Sequence, residues 1–184
     1  NGVAPFQNVA ATRDAVRADL VTLLVLDYYY TSCGIGYLMT YPSIEFDDYA
    51  YTVVAEDCAT GYYSFAHEQG HNEGAHHDRV TSGGDAVIYP YAYGYWMWSP
   101  TLNRYLYRTI MAYECPSGCT RINYWSNPNV SYNGLPTGVA AGLTNAADNH
   151  LTLNNTAPYV AKFRDGLPPN APTGFSATDL SATS

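Results

Sequence analysis

The stretch His67-Glu68-Gln69-Gly70-His71-Asn72-Glu73-Gly74-Ala75-His76-His77-Asp78 holds four of the chain's five histidines, and the reading of the rest turns on it. Between Gly61 and Glu73 there is no Pro and there are few β-branched residues, which favours a helix; Gly74 stands where a left-handed residue ends one. On that helix His67 and His71 are four apart, so both imidazoles leave one face about a turn from each other and can share one ion. Gly74 adopts positive φ at little steric cost, and a turn there lets His77 approach the same ion from another direction. Three neutral imidazoles and an open fourth position suit a catalytic zinc ion, not a closed structural one. Three His, one Glu and one Gly at these offsets arise by chance on the order of once in ten million positions, which separates the pattern from scattered surface histidines. His76, one residue short of the third position, is read as a neighbour.

Around this stretch the composition is that of one globular domain: 184 residues, 47% hydrophobic and 13% charged. A formal charge of −8 repels phosphate backbones and anionic lipid, so nucleic-acid and membrane partners are excluded. The longest apolar run, Leu20 to Leu26 with Thr22 inside it, is far short of the roughly 18 to 20 residues that span a bilayer. Neither an initiator Met nor a signal-like region opens the chain at Asn1, which reads as a processed or trimmed form. A single Lys (Lys162), 19 Tyr and four Cys suit a secreted, extracellular protein. Cys115 and Cys119 bracket the turn-forming Pro116-Ser117-Gly118 and are expected to pair, leaving Cys33 with Cys58. Four Cys allow three connectivities, and a four-thiolate zinc site is the rival; it is disfavoured because only one short Cys spacing exists.

Outward from the centre, residues Thr12 to Asp19 have helical spacing and Leu20 to Leu26 reads as a buried strand. Strands are expected at Tyr37 to Met39 and Tyr49 to Val54, giving a mixed sheet. Tyr89 to Trp96 alternates with period two, and Tyr105 to Ile110 follows the turn-like Ser99 to Asn103, so a long aromatic hairpin is expected. Ala147, Leu151, Val160 and Phe163 outline a C-terminal helix over Thr144 to Arg164, kinked or divided at Pro158. After Gly166 comes the Pro-rich Leu167-Pro168-Pro169-Asn170-Ala171-Pro172, so a domain over 1–166 and a linker and tail over 167–184 are expected.

His67, Glu68, His71, Gly74 and His77, followed by Asp78, resemble the extended zinc motif of metzincin metallopeptidases, and Thr109-Ile110-Met111-Ala112-Tyr113 resembles their Met-turn. Arg17-Ala18-Asp19-Leu20-Val21, Cys33-Gly34-Ile35-Gly36-Tyr37-Leu38 and Arg108 before the Met-turn make the resemblance closest to the reprolysin-like branch, and within it to bacterial peptidyl-Asp metallopeptidases. It covers roughly Arg13 to Asp165. The resemblance implies an α/β (α+β) zincin fold: a twisted mixed sheet, a zinc helix beneath it, a Met-turn and a C-terminal helix. It implies one catalytic Zn2+ on His67, His71 and His77, with Glu68 as general base and Met111 as the apolar floor. Tyr113 looks like the tyrosine that approaches the metal in astacin-like and serralysin-like enzymes; venom-type reprolysins usually lack it. A reprolysin-like domain also begins with a strand, a helix and a strand for which the first twelve residues leave little room.

The implied chemistry is hydrolysis of peptide bonds in protein or peptide substrates by a monomeric endopeptidase, with the Tyr113 phenol as donor to the oxyanion. Peptidyl-Asp enzymes prefer an acidic residue just after the cleaved bond, and Arg108 and Arg121, the cations nearest the Met-turn, are the candidates to accept it. Asp78 is expected to anchor its turn through backbone hydrogen bonds. Asp47, Asp48 and Asp57 lack the spacing of a calcium loop, so a Ca2+ requirement is left open. Residues 171–178 resemble the first strand of a fibronectin type III module. Two rivals stand: a non-catalytic binding or adhesion module that keeps zinc for stability, and a gluzincin-type hydrolase with Glu114 as third ligand.

Overall fold

The computed structural model describes residues 7–26 and 32–164. Helix α1 (Val9–Val16) ends at Arg17 in the left-handed region (φ 55°) and feeds strand β1 (Val21–Val25). Strands β2 (Gly34–Gly36) and β3 (Tyr51–Ala55) complete a three-stranded sheet of order β1-β3-β2, in which β1 runs parallel and β2 antiparallel to β3. The mixed sheet is as expected, but the edge strand lies at Gly34–Gly36, not at Tyr37 to Met39. Residues 37–39 are committed elsewhere: Met39 N–H donates to the His71 carbonyl (3.0 Å), and the Tyr37 carbonyl accepts from Asn72 Nδ2 (2.9 Å).

The glycines of β2 set how near the next layer can come. A short helix, α2 (Glu56–Ala59), follows β3, and α3 (Ser64–Asn72) then packs across β3 and β2. A Cβ on Gly34 would lie 2.7 Å from Glu68 Cγ, and one on Gly36 would lie 2.9 Å from the Glu68 carbonyl oxygen. Residues two apart on a strand share a face, so both glycines open the same side to α3. The helix starts at Ser64 and not at Gly61, because Tyr63 is left-handed (φ 61°) and closes a turn onto the Thr60 carbonyl. Gly74, at φ 85°, ends it as expected and sends the chain into β4 (His76–Asp78) and α4 (Arg79–Ser82).

β4 pairs in parallel with β5 (Tyr93–Gly94). The aromatic hairpin exists, but it consists of β6 (Trp96–Ser99) and β7 (Arg104–Arg108); Tyr89 to Ala92 instead forms a turn closed by Ala92 N–H to the Tyr89 carbonyl. Strand β8 (Thr120–Arg121) joins β7 in parallel. A two-residue ribbon, β9 (Ser131–Tyr132) and β10 (Leu135–Pro136), precedes α5 (Asn149–Val160). α5 begins at its Asp148 cap, later than Thr144, because residues 139 and 147 pair in an isolated bridge. Pro158 lies in the last turn and does not divide it.

Two apolar clusters flank α3. Met39, Ala50, Val160 and Phe163 form one, with Leu20, Phe46 and Ile88 against them; Ala75, Ile110 and Met111 form the other, with Tyr63, Ala66, Trp125 and Leu153. The two disulfides are the expected ones, Cys33–Cys58 and Cys115–Cys119. At the far end from α3's histidines, the buried Arg13 side chain donates to the carbonyls of Ala18, Asp19 and Asp47. Arg164 there contacts the carboxylates of Asp14 and Asp47, and its backbone N–H donates to Asp19. No helix among the described residues is long and apolar enough to cross a membrane. The expected tail over 167–184, with the fibronectin-like stretch, lies outside the described residues.

Candidate active site

The three histidines of the motif converge. His67 Nε2 lies 3.2 Å and His71 Nε2 3.0 Å from His77 Nε2, with two rings from α3 and the third from β4 beyond the Gly74 turn. Each helical ring is oriented from behind. His67 Nδ1 donates to the Ile110 carbonyl and His71 Nδ1 to the Ala75 carbonyl, both at 2.9 Å. A protonated Nδ1 leaves the Nε2 lone pair free and pointing inward. Three lone pairs this close repel one another unless a cation lies among them, so the donor set fits a metal ion, and a soft nitrogen set suits zinc. Among the described residues this trio is the one group of three or more His, Cys, Asp or Glu that could hold a metal.

Burial keeps these rings neutral. It is the main cause that lowers His71 to about 3 and His77 to about 4 and holds His67 well below the ordinary imidazole range; neighbouring rings add to it. Glu68, the next residue on α3, is also buried, and desolvation raises its carboxyl to about 7 against the opposing charge of Arg121. A cation among the imidazoles would draw it back down.

Glu68, the three histidines and Tyr113 line one cleft of about 800 Å³, whose other walls are apolar residues of β1, β2 and β3. Tyr113 is half-exposed at the mouth, its ring centroid 4.3 Å from that of His77. Its backbone is fixed from both sides, since its N–H donates to Asp78 Oδ2 and its carbonyl accepts from Trp96 Nε1. Asp78 does what the sequence reading expected and more: Oδ1 also accepts from the N–H groups of Val80 and Thr81, capping α4, so one carboxylate joins β4, α4 and the Met-turn. Met111 is fully buried beneath α3, in contact with its apolar side. His76 turns to Ser82 and to the His77 N–H, and is not part of the trio.

Arg121 and Arg108 both border a second, polar cavity of about 260 Å³ that shares Ser32, Gly34, His67, Glu68 and Tyr113 with the main cleft. Arg121 donates from Nε to the Ile110 carbonyl and from Nη1 to the Tyr62 carbonyl, and its Nη2 abuts His67 Nδ1 at 2.7 Å. Arg108 is spent on the Ala112 carbonyl and on Glu114, whose other oxygen accepts the Cys119 N–H. Glu114 therefore serves an arginine and the disulfide loop and is not in the metal-ligand group. The role of Gly34 and Gly36 in seating Glu68 was missed from sequence; the signal was a Gly-x-Gly pair inside a strand.

Three convergent imidazoles beside a buried carboxyl in an open cleft define the class as a metallohydrolase of the His-Glu-x-x-His kind. The model of metallo-peptidase family M12 matches residues 3–126, and the chain belongs to that family. Over 157 residues it is 42% identical to a peptidyl-Asp metalloendopeptidase of Stenotrophomonas maltophilia (strain R551-3), covering 85% of this chain and 34% of that protein. It is 53% identical over 117 residues to a peptidyl-Asp metalloendopeptidase of Xanthomonas campestris pv. campestris, covering 62% and 25% respectively. It is 46% identical over 114 residues to one of Pseudomonas fragi, covering 61% and 67%. The chain thus spans about a third of the length of the Stenotrophomonas relative it matches. No solved structure matches it.

Proposed function

We propose that residues 1–166 form the catalytic unit of a secreted, monomeric, zinc-dependent endopeptidase that cleaves peptide bonds in proteins. The observation that carries this is the convergence of three inward-pointing Nε2 atoms with the Glu68 carboxyl in one cleft. His67, His71 and His77 would hold the zinc, which supplies Lewis acidity and acidifies a water toward neutral pH. Glu68 does not belong to the ligand set and is free to act as a base: it takes the proton of the attacking water and passes it to the leaving amine. The Tyr113 phenol, at the cleft mouth, donates to the carbonyl oxygen as negative charge develops there. Met111 gives the histidines an apolar floor, and the carbonyls of Ile110 and Ala75 hold their tautomers. Two disulfides support an oxidising compartment outside the cell. The relatives' printed names support a preference for aspartate next to the scissile bond, and the sequence reading puts that acidic residue just after it.

Zinc content and hydrolysis of a casein substrate, measured in parallel on the wild type and on Glu68→Gln, test the reading. One equivalent of zinc in both, with hydrolysis by the wild type only, is expected. Zinc in both and hydrolysis by neither would favour the binding-module alternative. Loss of zinc in the variant would remove Glu68 from the role of base.

A further inference from the structure

The polar cavity on the Glu68 side of the cleft has two guanidiniums on its wall, and they differ in one respect. Arg108 is neutralised by Glu114 at 2.7 Å, and that carboxylate is itself held by the Cys119 N–H inside the Cys115–Cys119 loop. Arg121 has no carboxylate within ion-pair distance among the described residues. Its neighbours are the neutral carbonyls of Tyr62 and Ile110 and the edge of His67. Burial lowers its pKa only to about 10, so it stays charged at neutral pH. A buried charge without a counter-ion is costly, and a fixed guanidinium is pre-formed to grip a carboxylate.

Resting on the peptidase reading, we propose that this cavity receives the side chain of the residue after the scissile bond and that Arg121, not Arg108, is the cation that selects an acidic one. The cavity opens beside Glu68 and Tyr113, where a bond undergoing cleavage would lie, and about 260 Å³ accommodates an aspartate side chain. Arg121 is fixed by two carbonyls from different segments, so its fork does not have to be ordered when the carboxylate arrives. The paired Arg108 closes the cavity wall without offering free charge.

The test compares two peptides that differ only by Asp or Asn after the scissile bond, using zinc-loaded wild type, Arg121→Gln, Arg121→Lys and Arg108→Gln, with zinc content measured for each. The wild type should favour Asp in kcat/KM by about tenfold or more, as charge-assisted contacts to a fixed guanidinium predict. Arg121→Gln should bring the ratio close to one, Arg121→Lys should keep part of it, and Arg108→Gln should leave it as in the wild type. A preference that survives Arg121→Gln, or one that Arg108→Gln abolishes, overturns the proposal. If Arg121→Gln fails to fold, the Arg108→Gln ratio still decides between the two cations. Equal cleavage of both peptides by the wild type overturns this proposal and leaves the peptidase reading standing; cleavage of neither by the zinc-loaded protein breaks the peptidase reading itself.

Discussion

Gly34→Ala should disable catalysis while leaving the metal and the fold in place. The added Cβ would stand 2.7 Å from Glu68 Cγ, 2.8 Å from Oε1 and 3.0 Å from Cδ. Carbon pairs rest at about 3.5 Å, so the side chain must retreat by roughly 0.8 Å. A displacement of that order at the reacting groups costs on the order of a hundredfold in rate. Stability should change little. Gly34 is not in the left-handed region, so alanine fits its backbone, and Glu68 can yield by turning its own torsions at about 0.5–1.5 kcal/mol. The lower chain entropy of alanine in the unfolded state offsets part of that. Quenched-fluorescent peptide hydrolysis gives kcat, and zinc analysis and thermal unfolding accompany it. Gly61→Ala is the control, because its nearest neighbour would be the Asp57 carbonyl at 3.9 Å. A wild-type kcat in Gly34→Ala would refute the link between the β2 glycines and the placement of the base, and so would an activity loss that merely tracks lost zinc.

Asp78→Ala removes a cap from α4 and leaves the Tyr113 N–H without its acceptor, so urea unfolding should show a loss of about 1–3 kcal/mol, with Asp78→Asn intermediate. Metal-free protein should lose stability on acidification. His67 and His71 have folded-state values depressed below 6.5, so the unfolded chain takes up protons first and stability falls as pH drops below about 6.5. The slope should reach about 1.4 kcal/mol per pH unit for each buried imidazole and continue toward pH 4; urea midpoints that stay level between pH 7 and 5 would contradict this.

The metal-binding group was legible because its residues are close in sequence and their geometry follows from one helix and one turn. His67, Glu68, His71, Gly74 and His77 need no long-range contact to be interpreted. The edge strand was not legible in the same way. Tyr37 to Met39 has the aromatic character of a strand, yet its backbone groups are taken by the end of α3, while the strand itself is built from glycines whose value lies in what they leave room for. Tyr89 to Trp96 shows a similar override: its period-two pattern is real, but Pro90 sits in a turn and only Trp96 onward finds a partner strand. The difference between Arg108 and Arg121 was equally invisible, because it depends on Glu114 bending back within a disulfide loop and on carbonyls from residues 62 and 110.

The knot around Arg13 and Arg164 acquires a meaning if the protein cuts before aspartate, for such an enzyme must survive its own company at working concentration. Asp14, Asp19 and Asp47 all lie in that knot. The carbonyl of the Ala18–Asp19 bond is held by Arg13 Nε at 3.0 Å, and the Asp19 and Asp47 side chains are engaged by Arg164. Chain ends that fray are where proteolytic nicking begins. Here the two ends of the described domain are tied to each other through the very residues that would mark it for self-digestion, so autolysis at these bonds has to wait for the knot to open.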